Sequence, residues 1–86
     1  MGSKKKILWK ILQGTSDANI RFSDARGLLL YLGFEERVKG SHHIFRKSGI
    51  DEKINIQKDG NKAKPYQVRQ IRNVMLKYKF AGELDE

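Results

Sequence analysis

The stretch "EERVKGSHHIFRK", Glu35 to Lys47, sets the architecture. Together with Phe34 before it, Glu36 and Val38 alternate with Glu35, Arg37 and Lys39, the period of two that marks a strand. Gly40-Ser41 is a two-residue hairpin turn, and His42 to Lys47 is the returning strand. Successive strand residues point to opposite faces, so His42 and His43 diverge and cannot share a metal ion. The scattered Asp and Glu residues offer no recognisable ligand spacing, and no metal site is expected. Phe45 has the largest apolar side chain of the strand, which assigns its side to the core. His42, Ile44 and Arg46 then fall on the other face.

Outward from this hairpin the period changes to that of helices. On the N-terminal side, Ala25, Leu28, Leu29 and Leu32 form a helical stripe, with Ser23 as the expected N-cap and Gly33 as the stop. Gly27 inside that helix predicts close packing. Farther back, Ile7, Leu8, Ile11 and Leu12 predict a helix over residues 4–13, ended by Gly14, with Trp9 off the stripe and packed against the next segment of chain. "GTSDANI" between the two helices reads as a loop.

On the C-terminal side, "KSGIDE" is a turn and "KINIQK" a third strand with Ile54 and Ile56 on one face. "DGNKAK" reads as a basic loop without secondary structure. Lys64-Pro65 opens a last helix, in which Val68, Ile71, Met75 and Tyr78 share a face. The order helix, helix, three antiparallel strands, helix predicts an α+β fold with the helices on one face of the sheet. Too little chain remains to cover the opposite face, which is left for a ligand or partner.

The 86 residues suit one domain, 1–86, and show no internal boundary or repeat. Lys and Arg number 18 against 10 Asp and Glu, a formal charge of +8. Glu83, Asp85 and Glu86 crowd the last four positions, so the rest of the chain is more basic still. Such an excess attracts polyanions, phosphate backbones first among them. The absence of cysteine excludes disulfides, thiolate catalysis and cysteine-based zinc motifs, and suits a reducing cytoplasm. No apolar run approaches bilayer length, and the basic start lacks the pattern of a signal peptide, so no membrane association is expected.

"LGFEERVKGSHHIF", followed by a short β-rich segment and "KPYQVRQIRNVMLKY", resembles the HicA family, the small ribonuclease toxins of HicAB toxin–antitoxin systems. The resemblance runs from about Ser23 to Tyr78. Its signature is a Gly-Ser/Gly-His triplet entering the second strand, matched by Gly40, Ser41 and His42, and a Lys-Pro-like helix entry, matched by Lys64-Pro65. It implies a double-stranded-RNA-binding-domain-like α-β-β-β-α core at about residues 23–80, to which the helix at 4–13 is an addition. It also implies an mRNA endoribonuclease without metal or other cofactor, acting through one histidine and restrained by a HicB-like antitoxin protein. The catalytic histidine maps to His42. Some members carry Asn there and the histidine one residue later, so His43 stands as the alternative. Many members also have a Pro-His pair after the third strand, and this chain reads "INIQKDGNK" instead.

Around the histidines, Lys39, Ser41, Arg46 and Lys47 would meet the phosphate under attack. Lys58, Lys62 and Lys64, with Arg69 and Arg72 on one side of the last helix, would position RNA through phosphate and sugar. A non-catalytic RNA-binding module of the same fold is the alternative function.

Overall fold

A computed structural model describes residues 2–80 and 82. Helix α1 spans Gly2–Gln13, and a 3₁₀ turn at Asp17–Asn19 leads into helix α2, Phe22–Tyr31. Strands β1 (Glu35–Lys39), β2 (His42–Arg46) and β3 (Ile54–Ile56) form an antiparallel sheet in the order β1-β2-β3. A second hairpin, β4 (Lys58–Asp59) with β5 (Lys62–Ala63), precedes helix α3, Pro65–Lys77. The expected α+β class, three-stranded sheet and additional N-terminal helix are all present.

One core unites these elements. Leu8 and Ile11 of α1, Ala25, Leu28 and Leu29 of α2, and Val68, Ile71, Val74 and Met75 of α3 are buried with Phe45, Ile54 and Ile56 of the sheet. Full burial of such a side chain contributes about 1.5–3 kcal/mol, which explains why Phe45 fixes the side on which the helices lie. Pairing of Lys39 with His42 and of Val38 with His43 then sets the two faces of the β1–β2 hairpin. Glu36, Val38, His43 and Phe45 point to the helix side. Arg37, Lys39, His42 and Arg46 are exposed on the other.

Helix α3 also seals one edge of the sheet. The Gln57 backbone N–H donates to Gln67 Oε1 at 2.6 Å, and the Asn55 N–H donates to Gln70 Oε1 at 3.4 Å. Gln70 Nε2 in turn donates to the Lys53 carbonyl at 2.9 Å. Gln67 is the buried polar residue of the core, and these bonds give it and the β3 edge partners that water would otherwise supply.

Four local expectations change. Residues 58–63 are not a loop but a hairpin. Gly60 at φ +66° and Asn61 make the same kind of two-residue turn as Gly40, at φ +61°, and Ser41. That hairpin pairs backward with residues 20–22. The Ala63 N–H donates to Ile20 O, and the Phe22 N–H donates to Asn61 O, both at 2.9 Å. Burial of Ile20 and Phe22 holds this extended segment, so α2 begins at Phe22 and Ser23 lies inside its first turn instead of capping it. Trp9 is 50% exposed and lies outside the core, instead of being covered by the segment after α1. A methyl at Gly27 would meet only the flexible end of Lys4, at 3.4 Å, so no tight backbone contact requires that glycine.

Candidate nucleic-acid interface

The Gly40-Ser41 turn delivers His42 to the sheet face that the helices leave bare. Its imidazole is exposed, and Nδ1 lies 3.1 Å from Nδ2 and 3.3 Å from Oδ1 of the Asn55 carboxamide. Asn55 neighbours Ile44 in the β2–β3 pairing and so reaches the ring from the adjacent strand on the same face. With Nδ1–H donating to Oδ1, the Nε2 lone pair is free to take a proton. Lys39 stands directly across from His42, and the Ser41 hydroxyl accepts a bond from Gln57 Nε2 at 3.5 Å.

Beside His42 the bare face holds a depression of about 490 Å³. Arg37, Lys39, Arg46 and Lys53 line it around Ile44, together with Glu35 and Glu36, so cations outnumber carboxylates two to one. Four cations on one concave surface form an electrostatic cradle for a phosphate backbone. Arg46 is four residues along β2 from His42, about 13 Å at the usual strand rise. It therefore serves a neighbouring phosphate and not the one beside the ring. Lys47 lies farther along, next to Gly33 and Ser48, away from His42.

His43 occupies a different setting on the helix side. Its side chain is 21% exposed, its ring meets Phe22 edge-on at 4.7 Å, and its Nδ1 donates to Glu36 Oε2 at 2.8 Å. Glu36 is held in turn by Arg26, whose Nε and NH2 lie at 2.8–3.0 Å from both carboxylate oxygens. The Arg26 hydrogen bonds, joined by the one from His43, hold the Glu36 carboxyl below its ordinary range, and Glu36 raises Arg26. The carboxylate thus stays ionised and acts only as an acceptor.

The remaining basic residues do not form one surface. Lys58 extends from β4 on the helix side, with Nζ 5.4 Å from the Phe22 ring centre. Lys62 donates to Asn19 Oδ1 at 3.2 Å, Lys64 sits at the start of α3, and Arg69 is exposed on that helix. Arg72, expected to contact RNA, is engaged within the protein. Its guanidinium donates to Asp17 Oδ1 at 2.8 Å, to Asp17 Oδ2 at 3.2 Å and to the Ile11 carbonyl at 3.1 Å, and it is only 18% exposed. It fastens α1 and the 3₁₀ turn to α3, and three of its five N–H donors are taken up in doing so. Asp17, in the loop between α1 and α2, gave no sign of that pairing.

Asn55, Arg37 and Lys53 are the functional candidates missed by motif reading. The strand period would have found them, because each falls on the same face as His42 once Phe45 is placed inside. Among the described residues, no three His, Asp or Glu side chains lie close enough to hold a metal, and no helix is long and apolar enough to cross a membrane.

The profile of a family described as HicA toxin of bacterial toxin-antitoxin matches residues 22–79, well over half the chain. No curated protein and no solved structure gives a match. The matched region contains both histidines, the whole sheet, the second hairpin and α3, and it leaves α1 outside.

Proposed function

Because this chain belongs to the HicA toxin family of bacterial toxin–antitoxin systems, we propose that it is an endoribonuclease that cleaves mRNA in the cytoplasm without a metal. A HicB-type antitoxin protein would restrain it. The observation that carries this reading is the exposed His42 imidazole, tethered at Nδ1 by Asn55 beside a depression lined by four cations.

In this mechanism the RNA backbone lies along the bare sheet face. The 2′-hydroxyl of one nucleotide attacks the adjacent phosphorus, and His42 Nε2 accepts its proton. A bond forms from the 2′-oxygen to phosphorus, and the bond from phosphorus to the 5′-oxygen breaks, leaving a 2′,3′-cyclic phosphate. Asn55 Oδ1 accepts from Nδ1–H throughout, so the ring keeps its orientation as charge develops. Lys39 is the nearest cation to offset the added negative charge on the phosphoryl oxygens. The departing 5′-oxygen takes a proton from water or from the imidazolium just formed.

A positioned general base is worth about 10²–10⁴-fold in rate. His42→Ala should therefore slow cleavage of RNA by the purified, antitoxin-free protein at least about 100-fold, with the circular dichroism spectrum unchanged. Expression of that variant should no longer arrest growth. Full cleavage by His42→Ala together with loss in His43→Ala would move the base to His43, a second reading favoured by the Glu36 carboxylate 2.8 Å from its ring. RNA binding without cleavage by the parent would leave a binding module.

A further inference from the structure

His43, Glu36 and Lys58 have no part in the chemistry assigned to His42, yet they converge on a cavity of about 480 Å³ on the helix side. Its floor is Phe22 and Val38, and the hairpin β4–β5 supplies Lys58 and Asn61 at its wall, with Ser23 of α2 facing them. We propose that this cavity binds one nucleotide of single-stranded RNA next to the cleavage site, with His43 Nε2 contacting the base and Lys58 the phosphate. The inference rests on the reading of the chain as an RNA-binding toxin.

Three observations lead there. The first is the fixed imidazole. Glu36 can only accept, so Nδ1 of His43 carries a hydrogen and Nε2 is the atom left to offer. Among the described residues Nε2 has no partner, and no partly or fully buried side-chain nitrogen or oxygen is both unpartnered and cut off from solvent. The ring therefore presents Nε2 to the cavity that it lines.

The second observation is the local charge balance. Arg26 bonds both oxygens of Glu36, so the carboxylate is neutralised within the wall and does not repel an anion. Lys58 makes no ion pair among the described residues, and its charge stands free at the rim. The third is apolar surface. Val38 is 56% exposed although it points to the helix side, because the helices stop short of it. That exposed side chain, above a buried Phe22, is apolar surface on which an unstacked base can pack, and recognition of single-stranded RNA combines such packing with hydrogen bonds to base edges.

Position in the chain links this cavity to the proposed chemistry. His42 and His43 leave neighbouring Cα atoms, about 3.8 Å apart, toward opposite sides of the same end of the sheet. An RNA strand draped over the Gly40-Ser41 turn meets His42 on one side and the cavity on the other. The cavity is then a subsite that selects the nucleotide flanking the cleaved bond.

The test uses the full-length, antitoxin-free protein and a short RNA with a single 2′-deoxy nucleotide at its cleavage position. Affinity is measured by fluorescence anisotropy for the parent, for Lys58→Ala, for Ser23→Tyr, which fills the cavity from its rim, and for Lys10→Ala as a charge-matched control on α1. Lys58→Ala and Ser23→Tyr should each weaken binding about tenfold, and Lys10→Ala less than twofold. The His43 ring resonances should shift on addition of the RNA to the parent and stay in place in Ser23→Tyr. On cleavable RNA, both cavity variants should raise KM and leave kcat near that of the parent. Equal affinity across all four proteins, with His43 unmoved, overturns the subsite while leaving RNA cleavage intact. A parent that neither binds nor cleaves RNA overturns the functional reading itself, and the subsite with it.

Discussion

His42 and His43 differ in what grips Nδ1. A neutral carboxamide holds the first and an ionised carboxylate backed by arginine holds the second. Asn55 Oδ1 accepts from Nδ1–H whether the His42 ring is neutral or protonated, so one amide orientation serves both states. Asn55→Ala should therefore lower kcat about tenfold while leaving KM and thermal stability close to the parent, measured on a defined RNA substrate. Asn55→Gln, whose amide reaches farther, should restore part of that loss. Two carboxylates carry a separate pH signature. Lys77 and the Tyr78 hydroxyl bond Glu52 and bring it down to about 2, from an ordinary 4.5. Glu36 is also lowered, chiefly by Arg26. A carboxyl depressed in the fold adds stability that is complete above its unfolded value and disappears as pH falls through the folded one. Urea midpoints should thus be level from pH 7 to about 5 and fall between about 4.5 and 2. Glu52→Gln should start lower at pH 6 and lose less on acidification.

At the scale of elements, the strands and helices were legible because one apolar residue per strand and one stripe per helix suffice to orient them. Phe45 alone decided which histidine faced outward, and the Ala25–Leu32 stripe gave α2 its buried side. The start of α2 was not legible, because backbone pairing of residues 20–22 with 61–63 overrides the capping preference of Ser23. The second hairpin did leave a sign, a Gly-Asn pair of the same type as Gly-Ser, but its strands of two residues are too short to show alternation. Of the candidate site, the His42 face followed from period two, whereas the pairing of Arg72 with Asp17, 55 positions away, left no local sign. Arg72→Ala should destabilise the fold by about 1–3 kcal/mol, seen as a lower urea midpoint, and leave RNA affinity per folded molecule within twofold of the parent. The same substitution at an RNA contact would give the reverse pattern.

Across the whole molecule, basic charge is divided between a bare sheet face and a separate cavity, joined by one turn. Arg37, Lys39, Arg46 and Lys53 on the first side and Lys58 on the second make five cations along a draped strand. At about 0.7 counterions released per phosphate of single-stranded nucleic acid, log Kd plotted against log salt should rise with a slope of about 3.5. A slope near zero in a titration from about 50 to 300 mM salt would exclude a backbone-led interface. The acidic Asp17 and Glu52 do not oppose this field, since each is paired within the protein.

The glutamine seal along β3 has a consequence for assembly. A sheet with two open edges can add strands from other copies at both ends and so grow without limit. Here Gln67 and Gln70 hold the N–H groups of Gln57 and Asn55 on one edge, and β1 is the edge with no described strand beside it. Two copies joined edge to edge through β1 would present only glutamine-sealed margins to the outside. Such a pair is a closed unit, and strand addition would end at two.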